Sequence, residues 1–387
     1  MSESSRLPLA DYCAQRIALI KPSALGDIIH SLPVLTALRH RYPHAHITWV
    51  VNRGYAPLLQ GHRDLDEVLP FDRGASRRGW RAAARSWMSF LRELRQRRFD
   101  LAIDLQGLFR TAVMVTATRA ERRVGLSTAR EGATWSYTDV IPVADINSLH
   151  AVERCWRVAE ALGVGDTTKE FHIPIPNAAR NWAETVTNGY PRPWLMLGPG
   201  ARWKTKRWPP EHFAALACRV WDRFGGTVFL VGGDEERAAA SKVRQRLSGP
   251  SRDLTGQTTL PHLAALLERA DAMLANDTGP LHLAAALGRP RASARCNGPV
   301  SLANIASARS SSAAKHGNVV CPVISRDGPV RHRRTADAAV LSSSPPTRKT
   351  VPPNLSQTRR ARTAKCCGGQ RFVIQRAPGP SISHGRG

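Results

Sequence analysis

The stretch LANDTGPLHLAAALG at residues 274–288 joins the end of an apolar run to the start of a helical pattern. Asp277 or Thr278 can cap that helix, Gly279 leaves a bare approach to its N-terminus, and His282 lies one turn further on. Backbone N–H groups and the helix dipole at such an N-terminus attract phosphate. The stretch therefore predicts a phosphate site, and an ordinary strand–cap–helix junction is the alternative.

A second stretch, GPGARWKTKRWPPEHF at residues 198–213, follows another apolar run and nearly matches a P-loop. Trp203 stands where the P-loop needs a glycine for its backbone torsions and its close approach to phosphate, which argues against that motif. What remains is a glycine turn edged by the cations Arg202, Lys204, Lys206 and Arg207. These cations can neutralise a diphosphate without a metal ion, and a solvated basic loop is the alternative.

A single carboxylate, Asp27, follows Gly26 in the stretch IALIKPSALGDIIHSLPVL at residues 17–35. This stretch passes from a strand pattern to a helix pattern without a glycine-rich phosphate loop. A carboxylate repels phosphate, but it can take a proton from a hydroxyl nucleophile. The sequence thus predicts acceptor activation in the first half of the chain and nucleotide-phosphate binding in the second. A helix cap is the alternative for Asp27 alone.

Asp64 and Asp66 formally match the D-x-D pattern of metal-dependent sugar transfer. They lie in the charged stretch HRDLDEV, away from a recognisable strand end of the right type. We therefore interpret both as surface residues and expect no metal site.

The elements that must position these residues are short apolar runs alternating with segments of helical spacing. We expect strands at residues 16–20, 46–51, 101–105, 194–198, 227–233 and 271–277. We expect one helix directly after the first strand, with Pro33 near the start of that helix or at a kink in it. We expect further helices at residues 77–98, 210–224 and 260–270. A proline-marked connector separates two such sets. The pattern predicts an α/β fold of two doubly wound, Rossmann-like domains that face a cleft, with ligand at the carboxyl ends of the strands.

The last quarter of the chain has a different composition. Of the net charge of +26, residues 291–387 carry +15, from 17 Lys and Arg against two Asp and no Glu. All ten Trp precede this segment, which has no Tyr and one Phe. Such a composition buries too little apolar surface to offset chain entropy, so we expect a disordered basic tail.

Composition also bounds the compartment. The seven cysteines form no C-x-x-C pair, and the N-terminus MSESSRLPLADYC has no apolar signal-peptide core. No stretch approaches the roughly 20 apolar residues of a membrane span. These features predict a cytoplasmic protein.

Five ordered segments carry a family resemblance. They are IKPSALGDIIHSLPVLTALRHRYP, DLAIDLQGLFRT, LGPGARWKTKRWPPEHFAAL, LVGGDEER and ANDTGPLHLAAALGRP. These segments resemble, in order, motifs of the ADP-heptose:lipopolysaccharide heptosyltransferases (glycosyltransferase family 9, GT-B fold). A further segment, GLSTAREGATWSYTDV, looks like the heptosyltransferase I branch. The resemblance covers about residues 15–290. It implies an acceptor-binding domain at residues 1–175 and a nucleotide-sugar domain at residues 176–290.

The resemblance also implies roles for single residues. Asp27 falls on the family's catalytic carboxylate, and Lys206 on the lysine that contacts the transferred group and the phosphates. Glu236 matches a residue near the nucleotide ribose, with Glu235 as the alternative alignment, and Arg130 matches an acceptor-side arginine. The matches to the donor diphosphate motif are Asp277, Thr278, Gly279 and His282.

The implied reaction is inverting transfer of heptose from ADP-heptose to a lipid-linked Kdo acceptor, without a cofactor or metal. A lipid-linked acceptor further implies peripheral contact with the anionic inner-membrane surface on its cytoplasmic face. We expect no specific nucleic-acid partner, because the tail lacks interleaved aromatic residues and no nucleic-acid module precedes it.

The resemblance stops within a residue or two of Pro290, where a family member would continue with a further strand and helices. We therefore expect an incomplete second domain and interpret residues 291–387 as the product of a shifted reading frame. Two alternatives remain: an inactive truncated remnant of the family, and a polyanion-binding protein that uses its basic tail.

Overall fold

The computed structural model describes residues 7–72, 79–144 and 149–294. For Ala294 it describes only the backbone. Residues 295–387, which make up almost all of the expected basic tail, lie outside the described residues. The predictions of disorder and of a shifted reading frame in that segment therefore stay predictions.

Within the described residues, eleven strands form two sheets. The first sheet contains β1 Arg16–Ile20, β2 His46–Asn52, β3 Glu67–Phe71, β4 Leu101–Asp104, β5 Arg122–Leu126 and β6 Asp139–Ile141. The second contains β7 Trp194–Gly198, β8 Thr227–Leu230, β9 Ser251–Asp253, β10 Ala272–Asn276 and β11 Arg291–Ala294. The strand orders are β3-β2-β1-β4-β5-β6 and β11-β10-β7-β8-β9, and every pair is parallel. Both orders are doubly wound, which confirms the predicted α/β fold.

In the part of the chain that the structure describes, ten α-helices connect and cover these strands. The first lobe, named here for the six-stranded sheet and its helices, has α1 Leu25–Arg41, α2 Ala56–Leu59, α3 Trp80–Gln96, α4 Phe109–Thr118 and α5 Ala151–Ala161. The second lobe, around the five-stranded sheet, has α6 Asn177–Thr187, α7 Pro210–Phe224, α8 Arg237–Arg244, α9 Leu260–Arg269 and α10 Gly279–Ala286. Helix α6 lies within residues 171–194, which the sequence predicted to be a connector, so that prediction needs correction. Pro33 lies inside α1 and not near its start, and the alternative of a kink at Pro33 stays a prediction.

The strands that the sequence predicts are those that are apolar throughout. Ile17, Ala18, Leu19 and Ile20 in β1 are fully buried, and all five residues of β7 are buried. Helices cover both faces of a parallel sheet, so its central strands become continuous apolar runs. The strands missed by the sequence analysis are β3, β5, β6, β9 and β11, which contain polar residues or lie at sheet edges.

The strand β11 extends the second sheet beyond Pro290, where the family resemblance was expected to end. Its residues pair in parallel with β10, from Arg291 opposite Met273 to Ala294 opposite Asn276. The segment expected to begin a disordered tail therefore starts with an ordered edge strand.

The two lobes pack directly on one another. Helix α1 of the first lobe packs against α5 of its own lobe and against α10 of the second. One apolar core cluster includes Leu25 and Ile29 from α1 together with Leu281 and Leu283 from α10. This packing sets the carboxyl ends of β1 and β10, where the predicted site residues begin, against each other. No described helix combines the length and the apolarity that crossing a bilayer requires.

Candidate active site

The N-cap residue of α10 is Thr278, one of the two that the sequence predicted. Its side chain makes no capping hydrogen bond, because its hydroxyl donates to the carbonyl of Asn276 at 3.2 Å instead of accepting a helix N–H. An N-terminus without a side-chain cap keeps its first N–H groups and its dipole for an anionic ligand.

Lys206 and Asp277 form an ion pair at this N-terminus. Lys206 ends a short 3₁₀ turn after β7, and its Nζ lies 3.0 Å from Oδ2 of Asp277, which follows β10. The other carboxylate oxygen of Asp277 lies 3.7 Å from Nε2 of His282. The structure thus brings together residues that the sequence assigned to the phosphate site: Lys206, Asp277 and His282, with Gly279 in the same turn. Asp277 thus pairs with the lysine and lies next to the imidazole at one edge of the sheet.

A buried amide that sequence reasoning left without a role, Asn276, fixes the loop that carries Lys206. Its Oδ1 accepts the backbone N–H of Trp208 at 2.9 Å. Its Nδ2 donates to the carbonyls of Pro199 at 2.8 Å and Gly200 at 3.1 Å. Asn276 is fully buried, so these three hydrogen bonds have no competition from water. The sequence signal was an amide at a strand end directly before Asp-Thr-Gly.

Glu236 lies against the same loop. Its Oε2 accepts the N–H of Gly233 at 2.9 Å. A Cβ on Gly200 would lie 2.2 Å from Oε1 of Glu236, and one on Gly232 would lie 2.4 Å from Oε2. The glycines therefore make room for this carboxylate at the ends of β7 and β8. Glu235, the alternative in the alignment, is exposed to solvent.

Asp27 lies in the first turn of α1 and does stabilise that helix. Its Oδ2 accepts the backbone N–H of Ala24, the N-cap residue, at 3.1 Å. Ala24 has no side-chain acceptor, so only the carboxylate half of a capping box is present. The helix-cap alternative is therefore a real contact, and it occupies one carboxylate oxygen. The second oxygen, Oδ1, can serve a different partner.

A contact between the lobes joins α1, which carries Asp27, to the residues predicted to bind phosphate. Nε2 of His30 lies 3.1 Å from Nδ1 of His282, and the two rings meet edge to face. A Cβ on Gly26 would lie 2.7 Å from the His282 ring, and a Cβ on Gly279 would lie 2.7 Å from Leu25. The two glycines permit this close approach. Sequence reasoning missed His30, whose only signal is its position one helical turn after Asp27.

The histidines of this contact are held neutral. Burial, and then the neighbouring charge of His282, lowers the pKa of His30 to about 3, against a smaller opposing effect of Asp27. Burial also lowers the pKa of His282, although Asp277 opposes the shift. The pKa of His150, whose ring lies 5.0 Å from His30, is lowered by burial as well. At neutral pH all three rings therefore donate and accept hydrogen bonds as uncharged imidazoles.

Arg130 stands apart from this group. It lies exposed in the loop after β5, and its backbone N–H donates to the carbonyl of Gly107 at 2.8 Å. The buried Asp104 organises the adjoining turn by accepting the N–H groups of Gln106 and Gly107 and the hydroxyl of Tyr137. Among the described residues no contact joins Arg130 to Asp27 or His282. It shares with Asp27 the carboxyl end of the first sheet.

The D-x-D pair has structural partners. Asp64 is buried, so its interpretation as a surface residue was wrong, and its Oδ2 accepts the hydroxyl of Thr36 at 2.8 Å. Asp66 accepts from the guanidinium of Arg39 and from the N–H of Ile47. Within the described ranges no three His, Cys, Asp or Glu side chains are placed to hold a metal ion.

Comparisons with known proteins agree on one family. Residues 87–293 match the model for glycosyltransferase family 9 (heptosyltransferase). Lipopolysaccharide heptosyltransferase 1 of Pseudomonas aeruginosa is 32% identical over 285 residues, which cover 71% of this chain and 77% of that protein. The enzyme of the same name from Escherichia coli K12 is 28% identical over 281 residues, or 71% of this chain and 86% of that one.

Solved structures show the same similarity. The glycosyl transferase family 9 protein of Veillonella parvula superposes with a TM-score of 0.65 at 25% identity, over 74% of this chain and 81% of that one. E. coli heptosyltransferase WaaC, solved with ADP-2-deoxy-2-fluoro heptose, gives 0.60 at 27% identity, over 74% and 90% of the two chains. The structural similarity covers about three quarters of this chain, 74% in both superpositions.

Proposed function

This chain belongs to glycosyltransferase family 9, the heptosyltransferases, and we propose that it transfers heptose from ADP-heptose to the Kdo region of the lipopolysaccharide inner core. One observation carries the proposal. The carboxylate of Asp27 lies in the first turn of α1, one helical turn before His30, and His30 contacts His282 across the two lobes, beside the pair formed by Lys206 and Asp277. A group-transfer enzyme needs a proton acceptor on one side and an anion site on the other.

The donor side uses the second lobe. We assign the diphosphate of ADP-heptose to the N-terminus of α10 and to Lys206, with His282 donating a further hydrogen bond. Asp277 pairs with Lys206 beside His282, the Thr278 side chain makes no capping bond and Gly279 leaves the helix N-terminus open, and we assign Glu236 to a ribose hydroxyl. In support, the similar E. coli WaaC has been solved with ADP and with an ADP-heptose analogue.

The acceptor side uses the first lobe. We assign Asp27 as the general base, because its Oδ1 is available while Oδ2 caps α1. Arg130 can pair with a carboxylate of the acidic acceptor sugar, because its side chain is exposed at the carboxyl end of the same sheet. The turn held by Asp104 fixes the backbone from which Arg130 extends.

The proposed mechanism is a single displacement. Asp27 takes the proton from the acceptor hydroxyl as its oxygen attacks the anomeric carbon from the face opposite ADP. The bond to the diphosphate breaks, and the anomeric configuration inverts. Negative charge grows on the departing diphosphate oxygen, where Lys206 and the α10 N-terminus stabilise it. In this scheme a cation and a helix dipole neutralise the leaving group.

The test is turnover by the full chain with ADP-heptose and a lipid-linked Kdo acceptor, measured as ADP release and as product mass. We expect product carrying one added heptose, with ADP-glucose as the control donor and with turnover retained in EDTA. The absence of both product and ADP-heptose binding would reject the proposal. Loss of turnover in EDTA with recovery in Mg²⁺ would reject the metal-independent part of it.

The truncated-remnant alternative predicts a different result. A remnant that keeps the α10 N-terminus and the Lys206 loop would bind ADP-heptose but form no product at any enzyme concentration. Calorimetric binding of ADP-heptose, run beside the turnover assay, separates the two. A polyanion binder would instead bind DNA with a steep salt dependence and would not bind ADP-heptose.

We further propose that α3 contacts the anionic membrane surface where a lipid-linked acceptor resides. Trp80 and Met88 on this helix are 76% and 50% exposed, and Arg81, Arg85 and Arg92 are exposed beside them. Apolar side chains among arginines on one helix are typical of binding to anionic lipid. Cosedimentation with phosphatidylglycerol vesicles should be lost in Arg85→Glu/Arg92→Glu. Equal binding by this variant and by the second-lobe control Arg219→Glu/Arg244→Glu would reject the surface.

A further inference from the structure

We propose that His30 is a positioning residue that fixes His282 in the tautomer with its proton on Nε2. In this form His282 can donate a hydrogen bond to the donor diphosphate. The inference rests on the proposed function for the identity of that ligand. It concerns a residue on the first lobe that controls the hydrogen-bonding character of a residue on the second.

The geometry leaves two arrangements of one proton. Nε2 of His30 and Nδ1 of His282 lie 3.1 Å apart, a hydrogen-bond distance. Because both imidazoles are neutral, one nitrogen of the pair must donate and the other accept. Either His30 donates from Nε2 and His282 keeps its proton on its own Nε2, or His282 donates from Nδ1 and its Nε2 is a bare lone pair.

The far side of His30 favours the first arrangement. Nδ1 of His30 is buried and has no hydrogen-bond partner among the described residues. In the second arrangement this nitrogen would carry the proton, which would leave a buried N–H donor without an acceptor. Orphaned buried N–H groups are rare in folded proteins. In the first arrangement the same nitrogen carries only a lone pair.

The far side of His282 favours the same arrangement independently. Its Nε2 faces Oδ1 of Asp277 at 3.7 Å. A proton on Nε2 places a positive dipole toward this carboxylate, whereas a lone pair there would face negative charge. Both ends of the histidine pair therefore select His30 as the donor and His282 as the Nε2–H tautomer.

The consequence is a directed donor at the phosphate site. Nε2–H of His282 faces the edge where Asp277 holds Lys206, so a diphosphate oxygen bound there can accept from both. Because His30 and His282 belong to different lobes, the hydrogen bond that selects this tautomer requires the lobes to be in contact. His30 thus couples the packing of the first lobe to the donor site on the second.

The test compares His30→Gln with His30→Leu. A glutamine amide can still donate to Nδ1 of His282, whereas leucine fills a similar volume and cannot. With ¹⁵N-labelled imidazoles, and His282→Gln to identify the signal, we expect wild-type His282 to show a protonated Nε2 and an accepting Nδ1. We expect a tautomer mixture in His30→Leu and recovery of the wild-type pattern in His30→Gln.

Binding and kinetics provide a second measurement. We expect His30→Leu to weaken ADP-heptose binding by about tenfold, equal to about 1.4 kcal/mol, and His30→Gln to stay within about threefold of wild type. A wild-type His282 protonated on Nδ1 would overturn the proposal, and this needs no variant to fold. An unchanged His282 signal in a folded His30→Leu would overturn it too. Because neither measurement requires turnover, a failed transfer assay would reject the proposed function and leave this inference testable.

Discussion

The substitution Asp27→Asn separates two roles of one carboxylate. The Oδ2 atom of Asp27 accepts the N–H of Ala24 and so caps α1, while Oδ1 is assigned to the acceptor proton. Asparagine keeps an oxygen that can accept the Ala24 N–H but has no basic group. Asp27→Ala removes both functions. The pair of variants therefore distinguishes a helix cap from a general base.

The expected magnitudes differ widely. Losing only the negative charge near the N-terminus of α1 should destabilise the fold by about 0.3–1 kcal/mol. Asp27→Ala, which also loses the cap, should cost about 1 kcal/mol more. The control Thr259→Ala, which removes the cap of α9 away from the site, should also destabilise the fold by about 1 kcal/mol. A protein stable by at least about 5 kcal/mol stays about 99% folded after such losses. Losing a general base should lower turnover by about 10²–10⁴-fold.

The assay is turnover at saturating donor, with thermal unfolding and ADP-heptose affinity measured on the same samples. We expect Asp27→Asn to keep donor affinity within about threefold and to lose at least about 100-fold in turnover. Thr259→Ala should lose stability without losing turnover. If Asp27→Asn retained turnover within about tenfold of wild type, about 1.4 kcal/mol of barrier, Asp27 would be a helix cap and not the base.

Three further outcomes follow from the structure. Lys206→Ala should raise KM for ADP-heptose and lower turnover, each at least about tenfold, because it removes the cation at the leaving group. The control Lys204→Ala, at a neighbouring exposed lysine, should change KM and turnover by less than about threefold. Equal effects of the two substitutions would contradict the assignment of Lys206. Asn276→Ala should lower the free energy of unfolding by about 3 kcal/mol, because it strands buried backbone partners of three hydrogen bonds; a loss below about 1 kcal/mol in urea titrations would argue against its role. Burial lowers the pKa of His30 to about 3, so as pH falls below about 6.5 the unfolded chain binds a proton that the folded His30 does not. The contribution of His30 to the free energy of unfolding is therefore full above about pH 6.5 and should fall by about 2 kcal/mol by pH 5. The titratable or charged residues that face the same ring are His150, His282, Asp27 and Lys21. In His30→Leu the fall in stability between pH 6.5 and pH 5 should be smaller than in wild type. An unchanged pH profile would refute a neutral buried His30.

Sequence reasoning predicted the central strands and placed the expected phosphate-site residues at the end of β10 and the start of α10. Strands such as β1 and β7 are apolar throughout because both faces of a parallel sheet are covered, and that signal is local. The Asp-Thr-Gly turn before α10 is local too, since strand end, N-cap and helix are consecutive. By contrast β9, with the sequence SRD, is a strand only because β8 offers it hydrogen-bond partners. Nothing in its own residues predicts this pairing.

The tertiary structure decided which polar residues meet. Asp64 looked like a surface residue, yet it is buried because α1 supplies the hydroxyl of Thr36. Glu236, rather than Glu235, lies against the glycines of the loop, because the 3₁₀ turn after β8 directs it there.

The sequence by itself therefore determined the central strands of the two sheets, the strand–helix junction at α10 and a lone carboxylate after β1. Only the packing of α1 on α10 set His30, 252 positions away in the chain, against His282. The physical reason is range: strand periodicity and helix caps are fixed by neighbours in the chain. A hydrogen bond between two lobes depends instead on how whole apolar faces pack, and no local pattern encodes that.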